Sequence, residues 1–423
     1  MKIEDLYTHY CSSSGVSIDT RTIQRNEIFF AIKGDNFDGH KFIETAFSKG
    51  ASYAVIQDEK YNQDSKTILV SDTQNTLQDL ARYHRDQLDI PILAITGSNG
   101  KTTTKELIYA VLSKKYNVYA TEGNYNNHLG VPLTLLSAHK DHDFLIVEMG
   151  ANHIKEIDHL CHIADPNYGM ITNIGRAHIE GFGSVQGIIQ GKTELYKYLE
   201  KNNGTIFYND EDQILSKYIP EIITAVPYLV DDIEFLYQYA TLAFRDTDNE
   251  ETCISQLFGL YNQSNIEAAI TLGRYFKVYD EDIFSAISEY KPSMNRSQIM
   301  RRNGVQYIMD AYNANPSSMK LSIKSVMNYG HSPKTLILGD MKELGTESDQ
   351  LHEEILTYIE SYKWSNVYLV GESFSAADSD HKYHHYNDIN ELMSVHPNFE
   401  NDHKGQTVLL KGSRSMALEK LLA

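Results

Sequence analysis

Apolar and polar positions change period several times along the chain, and those changes divide it. Ile90–Thr96 is continuously apolar and ends in a glycine turn, the mark of a strand buried on both faces; Thr102 to Leu112 then repeats its apolar positions at helical spacing. Phe144–Glu148 and Tyr168–Ile171 are further short apolar runs, which predicts a parallel sheet covered by helices. From Pro292 the alternation restarts. Strand-like Tyr307–Asp310, Lys334–Leu338, Asn366–Val370 and Thr407–Leu410 interleave with helical Ser317–Asn328, Gln350–Ile359 and Met416–Leu422, predicting a second doubly wound unit. Before residue 88 the runs are shorter: strand-like Glu27–Lys33, the turn-rich loop Gly34–His40 and the amphipathic stretch Phe42–Lys49. The expected fold is α/β in three domains. These are a small N-terminal α/β substrate domain over 1–88, a central domain over 89–292 on a P-loop-type parallel sheet, and a C-terminal Rossmann-like domain over 293–423.

Length and charge narrow the function. At 423 residues the chain exceeds one ordinary core, and its apolar content of 41% is that of a soluble globular protein. A net charge of −19 argues against a nucleic-acid partner, because a polyanion needs a basic face, but it leaves room for a small phosphorylated ligand. No apolar run approaches the roughly 20 residues of a membrane span, and Met1–Asp5 lacks the apolar stretch of a signal peptide. Cys11, Cys161 and Cys253 lie far apart and form no CxxC pair, which speaks against a disulfide or zinc scaffold. A cytoplasmic protein, expected to be a monomer, is the reading.

The clearest chemistry lies in Thr96-Gly97-Ser98-Asn99-Gly100-Lys101-Thr102-Thr103-Thr104, between a strand and a helix. Glycines there let backbone N–H groups crowd around phosphate oxygens, and the helix N-terminus adds partial positive charge. Gly97 to Thr103 are therefore candidate ATP ligands, with Lys101 at the β/γ phosphates and the Thr102 hydroxyl on Mg²⁺. Ile95 stands where the general Walker pattern has its first glycine. Glu148 ends a buried strand, placed either to hold Mg²⁺ through oxygen or to serve as a capping or ion-paired carboxylate. His178 follows another apolar strand, and a lone histidine in such a place is more often structural than a ligand. Lys192, on a helix expected to begin near Ser184, reads locally as a solvated lysine. The run His381–Tyr386 follows Asp378-Ser379-Asp380 and reads as an exposed loop, not a metal site.

The segment TGxNGKTT resembles the Mur ligase and folylpolyglutamate synthetase superfamily, and the resemblance continues along the chain. Asn124–Pro132 is similar to the NxNNxxGVP segment of the MurF branch, Val147–Ala151 to its acidic strand end, and Thr172–His178 to TNIGxAH. Asp310–Met319 and Leu338–Gly345 (LGDMKELG) are the strongest marks of that branch, and Lys411-Gly412-Ser413-Arg414 completes the series in order.

The resemblance implies an ATP-dependent amide ligase. It adds D-alanyl-D-alanine to a UDP-muramoyl tripeptide through an acyl phosphate, a step of peptidoglycan precursor synthesis. Two Mg²⁺ sites are implied, with Thr102, Glu148 and His178 as ligands and Lys192 carbamylated by CO₂ to become a further one. A carbamate turns a cation into an oxygen-bearing anion that suits a hard metal, and its formation needs a neutral amine, hence a lowered pKa. Gly191 stands where alanine is usual. Gly259–Asn265 resembles GxHNxxN, which makes Asn262 and Asn265 candidates for ATP contacts, with Tyr261 replacing the histidine. Arg296 matches a Gly-Arg pair in which Asn295 replaces the glycine, and would reach the γ-phosphate once the last domain swings inward. Asp310 matches a contact to the nucleotide sugar or is a turn carboxylate. Asn126 and Asn127 are implied as substrate-binding residues, and Asn315, Lys411 and Arg414 as lining the dipeptide side. Asp19-Thr20-Arg21 resembles DSR, and Phe29–Gly34 with Asp38-Gly39-His40 resembles FxAxxG…DGH; Thr20, Arg21, Gly39 and His40 would hold the UDP end, unless that stretch mainly shapes a turn.

Other classes fit less well. The sister ligase that adds the third amino acid carries a DNPR-like segment that is missing here, and in folylpolyglutamate synthetase the nucleotide loop lies near the chain start. A nucleotide-gated binding module that has lost catalysis would not need Lys101, Glu148, His178 and Lys192 intact; a phosphotransferase that stops at a phosphorylated product is a further alternative, and its signature is a stable phosphorylated small molecule with no amide made.

Overall fold

The computed structural model describes residues 1–62, 65–228, 230–236, 241–248, 250–293, 295–330 and 332–422. At its centre lies a parallel six-stranded sheet. In spatial order it runs Thr224–Pro227, Thr205–Tyr208, Tyr168–Ile171, Ile92–Thr96, Phe144–Glu148 and Val118–Ala120. The inner strands Ile92–Thr96 and Phe144–Glu148 are buried at every position, as their unbroken apolar runs require of strands covered on both faces. The chain enters the sheet at Ile92–Thr96, builds two strands on one side, then crosses to the other. That reversal opens a crevice at the carboxyl ends of Ile92–Thr96 and Tyr168–Ile171, the place where open α/β sheets receive ligands.

The N-terminal unit is a four-stranded parallel sheet, Val16–Ser17, Ile28–Phe30, Tyr53–Ile56 and Thr67–Leu69. Helix Thr73–Asp86, capped by Asp72, packs on helices Gly130–Leu136 and Glu156–Ala164 of the centre. Arg85, buried at its end, donates to the carbonyls of Ala164, Leu88 and Asp165, and Tyr10 donates to Leu136 O at 2.6 Å. One continuous apolar core runs from Leu6 and Leu77 into Val147 and Ile171, so this unit is fixed against the centre.

The C-terminal sheet runs Gln298–Arg302, Val305–Met309, Thr407–Lys411, Lys334–Gly339, Asn366–Val370 and His384–Tyr386, parallel except for the first strand, which forms a hairpin with the second. Helices Pro316–Asn328 and Ser348–Glu360 stand where the helical spacing predicts them. Two expectations are corrected. The run His381–Tyr386 is not an exposed loop throughout, because His384–Tyr386 pairs with Tyr368–Val370 as the last strand of the sheet and buries Tyr386. Met416–Leu422 is not a single helix but two 3₁₀ turns, Arg414–Met416 and Leu418–Leu422, because Ala417 sits at φ +48°, a left-handed backbone that no helix carries through. The antiparallel sheet Ile233–Leu236, Ala243–Asp246 and Thr252–Ile254 is not predicted either. Its strands are three or four residues long with mixed burial, too short to show a period.

Candidate active site

The nucleotide loop is shaped from outside as much as by its own glycines. Gly97 sits at φ +143° with Thr172 so close that a Cβ would lie 2.0 Å from its Oγ1. Gly100, at φ +82°, starts helix Lys101–Leu112. Thr172 Oγ1 donates to Asn99 O at 2.6 Å, and Asn173 Nδ2 donates to the same oxygen at 2.9 Å. The Asn99 N–H donates to Asn173 Oδ1, and Ser98 Oγ exchanges hydrogen bonds with Gly175. The TNIG segment thus splints Ser98 and Asn99, a role that motif matching alone does not reveal. Lys101 Nζ donates to Gly97 O at 2.8 Å, and burial pushes its pKa down.

Beside the loop, Glu148 closes its strand with both carboxylate oxygens engaged: Thr102 Oγ1 donates to Oε2 at 2.9 Å and Asn126 Nδ2 to Oε1 at 2.8 Å. Its own N–H donates to Thr121 Oγ1, while the buried Lys105 donates to Thr121 O at 2.5 Å. The ion-paired and capping readings of Glu148 do not describe this arrangement, which is a buried carboxylate held by neutral donors. Lys192 ends helix Val185–Lys192, whose N-cap is Ser184 as expected. It is not solvated. It is 1% exposed, its one hydrogen bond among the described residues is to Ala151 O at 3.2 Å, and its Nζ lies 5.4 Å from the centre of the Phe182 ring. Burial, reinforced by Lys101 nearby, depresses its pKa well below that of an ordinary lysine, which is the state an amine needs to react with CO₂. The same ring explains Gly191: a Cβ there would lie 2.5 Å from Phe182 Cε1.

His178 carries a left-handed backbone, φ +57°, and pairs through Nδ1 with Glu343, itself at φ +63°. Such backbones cost about 1–3 kcal/mol each and persist where surrounding structure holds them. The imidazole keeps the Glu343 carboxyl below the usual range. Thr102, Glu148 and His178 offer hydroxyl, carboxylate and imidazole donors to one cleft, a set that fits Mg²⁺.

That cleft, about 1120 Å³, is walled on its far side by the C-terminal unit. The guanidinium carbon of Arg296 stands 3.5 Å from the centre of the Tyr312 ring, and Arg296 lies between Asn295 and Ser297, both left-handed. Asp310 pairs with the buried Lys411 at 2.9 Å, which brings together two residues expected to serve different substrates. Tyr261, where a histidine is usual, shares a 2.7 Å hydrogen bond with Ser297 and faces Asp310. Asn262 and Asn265 are buried and bonded to protein groups: Asn265 Nδ2 donates to Asn262 Oδ1, Thr104 Oγ1 donates to Asn265 Oδ1, and Asn262 Nδ2 donates to Phe258 O. They brace the floor of the nucleotide loop. Asn315 caps helix Pro316–Asn328 with its Oδ1 and donates through Nδ2 to Asn99 Oδ1 at 2.7 Å, tying the C-terminal unit to the loop. Asn127 Oδ1 accepts from the N–H groups of Leu129 and Gly130 in the turn before helix Gly130–Leu136.

Several expected residues lie elsewhere. Arg414 is exposed and paired with Glu419. Arg21 is exposed on Asp19, and Thr20 O accepts from Lys49. His40 is buried with both ring nitrogens engaged, one with Asp38 Oδ1 and one with the Gln57 N–H; a Cβ on Gly39 would strike Ile32 O at 2.7 Å. Asp38-Gly39-His40 therefore builds a turn. None of these lines the cleft.

Three family models match in order: Mur ligase family, catalytic domain, over residues 12–85; Mur ligase middle domain over 95–273; and Mur ligase, glutamate ligase domain, over 295–414. The chain is 34% identical over 425 residues to the UDP-N-acetylmuramoyl-tripeptide–D-alanyl-D-alanine ligase of Bacillus subtilis (strain 168), covering 96% of this chain and 92% of that one. Among solved structures, MurF from Acinetobacter baumannii superposes with a TM-score of 0.85 at 29% identity, covering 96% of this chain and 92% of that one. MurF ligase from Thermotoga maritima in complex with ADP gives 0.84 at 28%, covering 100% and 97%.

Proposed function

The chain belongs to the Mur ligase family, and on that premise we propose that it joins D-alanyl-D-alanine to a UDP-muramoyl tripeptide at the expense of ATP. The observation that carries this is one cleft in which the nucleotide loop, Glu148, His178 and the C-terminal Arg296, Asp310 and Lys411 face each other. A ligase needs that meeting, because activation and amide formation happen at one carbon.

Hydroxide is a poor leaving group, so the tripeptide carboxylate attacks the γ-phosphorus of ATP, ADP departs, and an acyl phosphate forms. The dipeptide amine then attacks the acyl carbon, loses a proton and expels phosphate. The backbone N–H groups of Gly97 to Thr103 and the Lys101 ammonium hold the triphosphate in line. Arg296, already over the Tyr312 ring, offers a planar fork to the transferring phosphoryl oxygens. Thr102, Glu148 and His178 would hold Mg²⁺, with Lys192 as its carbamate at a second site, and bound metal would supply neutralisation of the charge that develops on the phosphate oxygens. Asn262 and Asn265 act by keeping the loop rigid, and Asp310 with Lys411 marks where nucleotide and dipeptide regions meet. Residues 1–88 receive the UDP end, 89–292 the nucleotide and 293–423 the dipeptide, in a cytoplasmic monomer. No described helix is long and apolar enough to cross a membrane.

The test is to supply ATP, Mg²⁺, UDP-muramoyl tripeptide and either D-alanyl-D-alanine or single amino acids, and to weigh the product by mass spectrometry. The expected product is the tripeptide plus one dipeptide less water, with one ADP and one phosphate released. Turnover on a single amino acid, or a phosphorylated product without amide, overturns the proposal.

A further inference from the structure

His178 and Glu343 meet across the boundary between two units, and each is aimed by an unusual backbone. His178 follows the central strand Tyr168–Ile171 at φ +57°; Glu343 follows the C-terminal strand Lys334–Gly339 at φ +63°. Their surroundings keep them in register. The Glu180 N–H donates to Glu343 O at 3.3 Å, and Gly345, at φ +57°, lies so near Glu180 that a Cβ would stand 3.3 Å from its Cβ. His178 Nδ1 is buried and stands in ion-pair contact with the Glu343 carboxylate, with no other partner among the described residues. Both residues line the cleft.

From this geometry we infer that Glu343 is a positioning residue: it accepts the Nδ1 proton of His178, fixes the tautomer that bears a lone pair on Nε2, and so completes the metal-binding imidazole only when the C-terminal unit is docked on the centre. The inference rests on the reading of His178 as a metal ligand. Metal-bound histidines are ordinarily oriented by a carboxylate on the other ring nitrogen. Here that carboxylate comes from another unit, so docking of the dipeptide-binding part and assembly of the metal site become one event. The consequence is economy in the reaction: phosphoryl transfer is favoured only when the part that delivers the amine is in place, and the acyl phosphate is shielded from water.

Pulsed EPR of the full chain with Mn²⁺, a non-hydrolysable ATP analogue and the UDP-muramoyl tripeptide reads this directly. The wild type should show histidine-nitrogen coupling to Mn²⁺, absent in His178→Ala. If the wild type shows none although the amide-forming assay succeeds, the ligand role of His178 fails, and this inference with it, while the ligase reading stands. Glu343→Ala should lose the coupling and weaken Mn²⁺ binding about 10–100-fold. Glu343→Gln, which keeps an acceptor oxygen, should restore most of both. Glu354→Ala serves as the control, because it breaks a second bridge between the same units, Arg176 to Glu354 at 3.2 Å, without touching His178. It should keep the coupling. Coupling unchanged in Glu343→Ala, or lost equally in Glu354→Ala, overturns the inference; the second result would make Glu343 merely one of several ties.

Discussion

Lys192, Gly191 and Phe182 form a unit that single-residue reading misses. The lysine is buried against an aromatic ring and one carbonyl, so its ammonium form is disfavoured, and the ring that desolvates it also fills the space beside residue 191. Two predictions follow from this contact. Lys192→Ala removes the amine proposed to carry the carbamate and should slow ADP release about 10–100-fold, the usual cost of a lost metal-site group, with part of the rate returning when a short carboxylate such as acetate is added; no recovery at any concentration would count against the carbamate. Gly191→Ala, although alanine is the residue usual at this position, should cost about 1–3 kcal/mol through overpacking on Phe182. A denaturant midpoint equal to wild type would show that the ring yields freely.

At the scale of elements, helix starts serve as mounts for the cleft. Ser184 caps the helix that carries Lys192, Asn127 closes the turn leading into Gly130–Leu136 beside Glu148's partner Asn126, and Asn315 caps Pro316–Asn328 while reaching Asn99. The two jobs of Asn315 can be separated. Asn315→Asp keeps the cap oxygen but has no N–H for Asn99, so stability should hold while KM for ATP rises several-fold. Asn315→Ala loses both and should also cost about 1 kcal/mol. A KM for ATP unchanged in Asn315→Asp, measured by coupled ADP release, would show that the link to the nucleotide loop is idle.

For the whole molecule, three buried histidines join segments distant in sequence and are held neutral. His84 Nε2 donates to Ala138 O while Nδ1 faces Tyr7; His352 Nε2 accepts the Met341 N–H; His403 lies between Phe399 O and Tyr368. Burial lowers the pKa of each from the ordinary 6.5. Below that value the unfolded chain binds more protons than the folded one, so stability present above pH 6.5 is lost as pH falls through the folded-state values. Urea midpoints should therefore decline between pH 7 and about pH 5, and His84→Gln should flatten that decline. A variant with the same slope would remove His84 from the account.

Much of the fold was legible because its strands are buried on both faces: Phe144–Glu148, Tyr168–Ile171 and Asn366–Val370 begin and end where their apolar runs do. The short half-exposed strands Ile233–Leu236, Ala243–Asp246 and Thr252–Ile254 and the 3₁₀ turns at the C-terminus carry no such run and could not be read. The nucleotide loop was likewise visible, since glycine spacing, lysine and hydroxyl are local requirements of phosphate binding. Partnership was not. The amide of Asn265 under Gly100, Asp310 on Lys411, His40 locked in a turn and Glu343 on His178 join residues that lie far apart in the chain or depend on how a loop closes. Sequence by itself determined which chemical groups this protein owns and the order in which its units are strung. Tertiary structure alone decided which groups are buried, and therefore which lysine has its pKa driven down and which asparagines are struts, because desolvation and hydrogen bonding depend on neighbours that only the folded chain supplies.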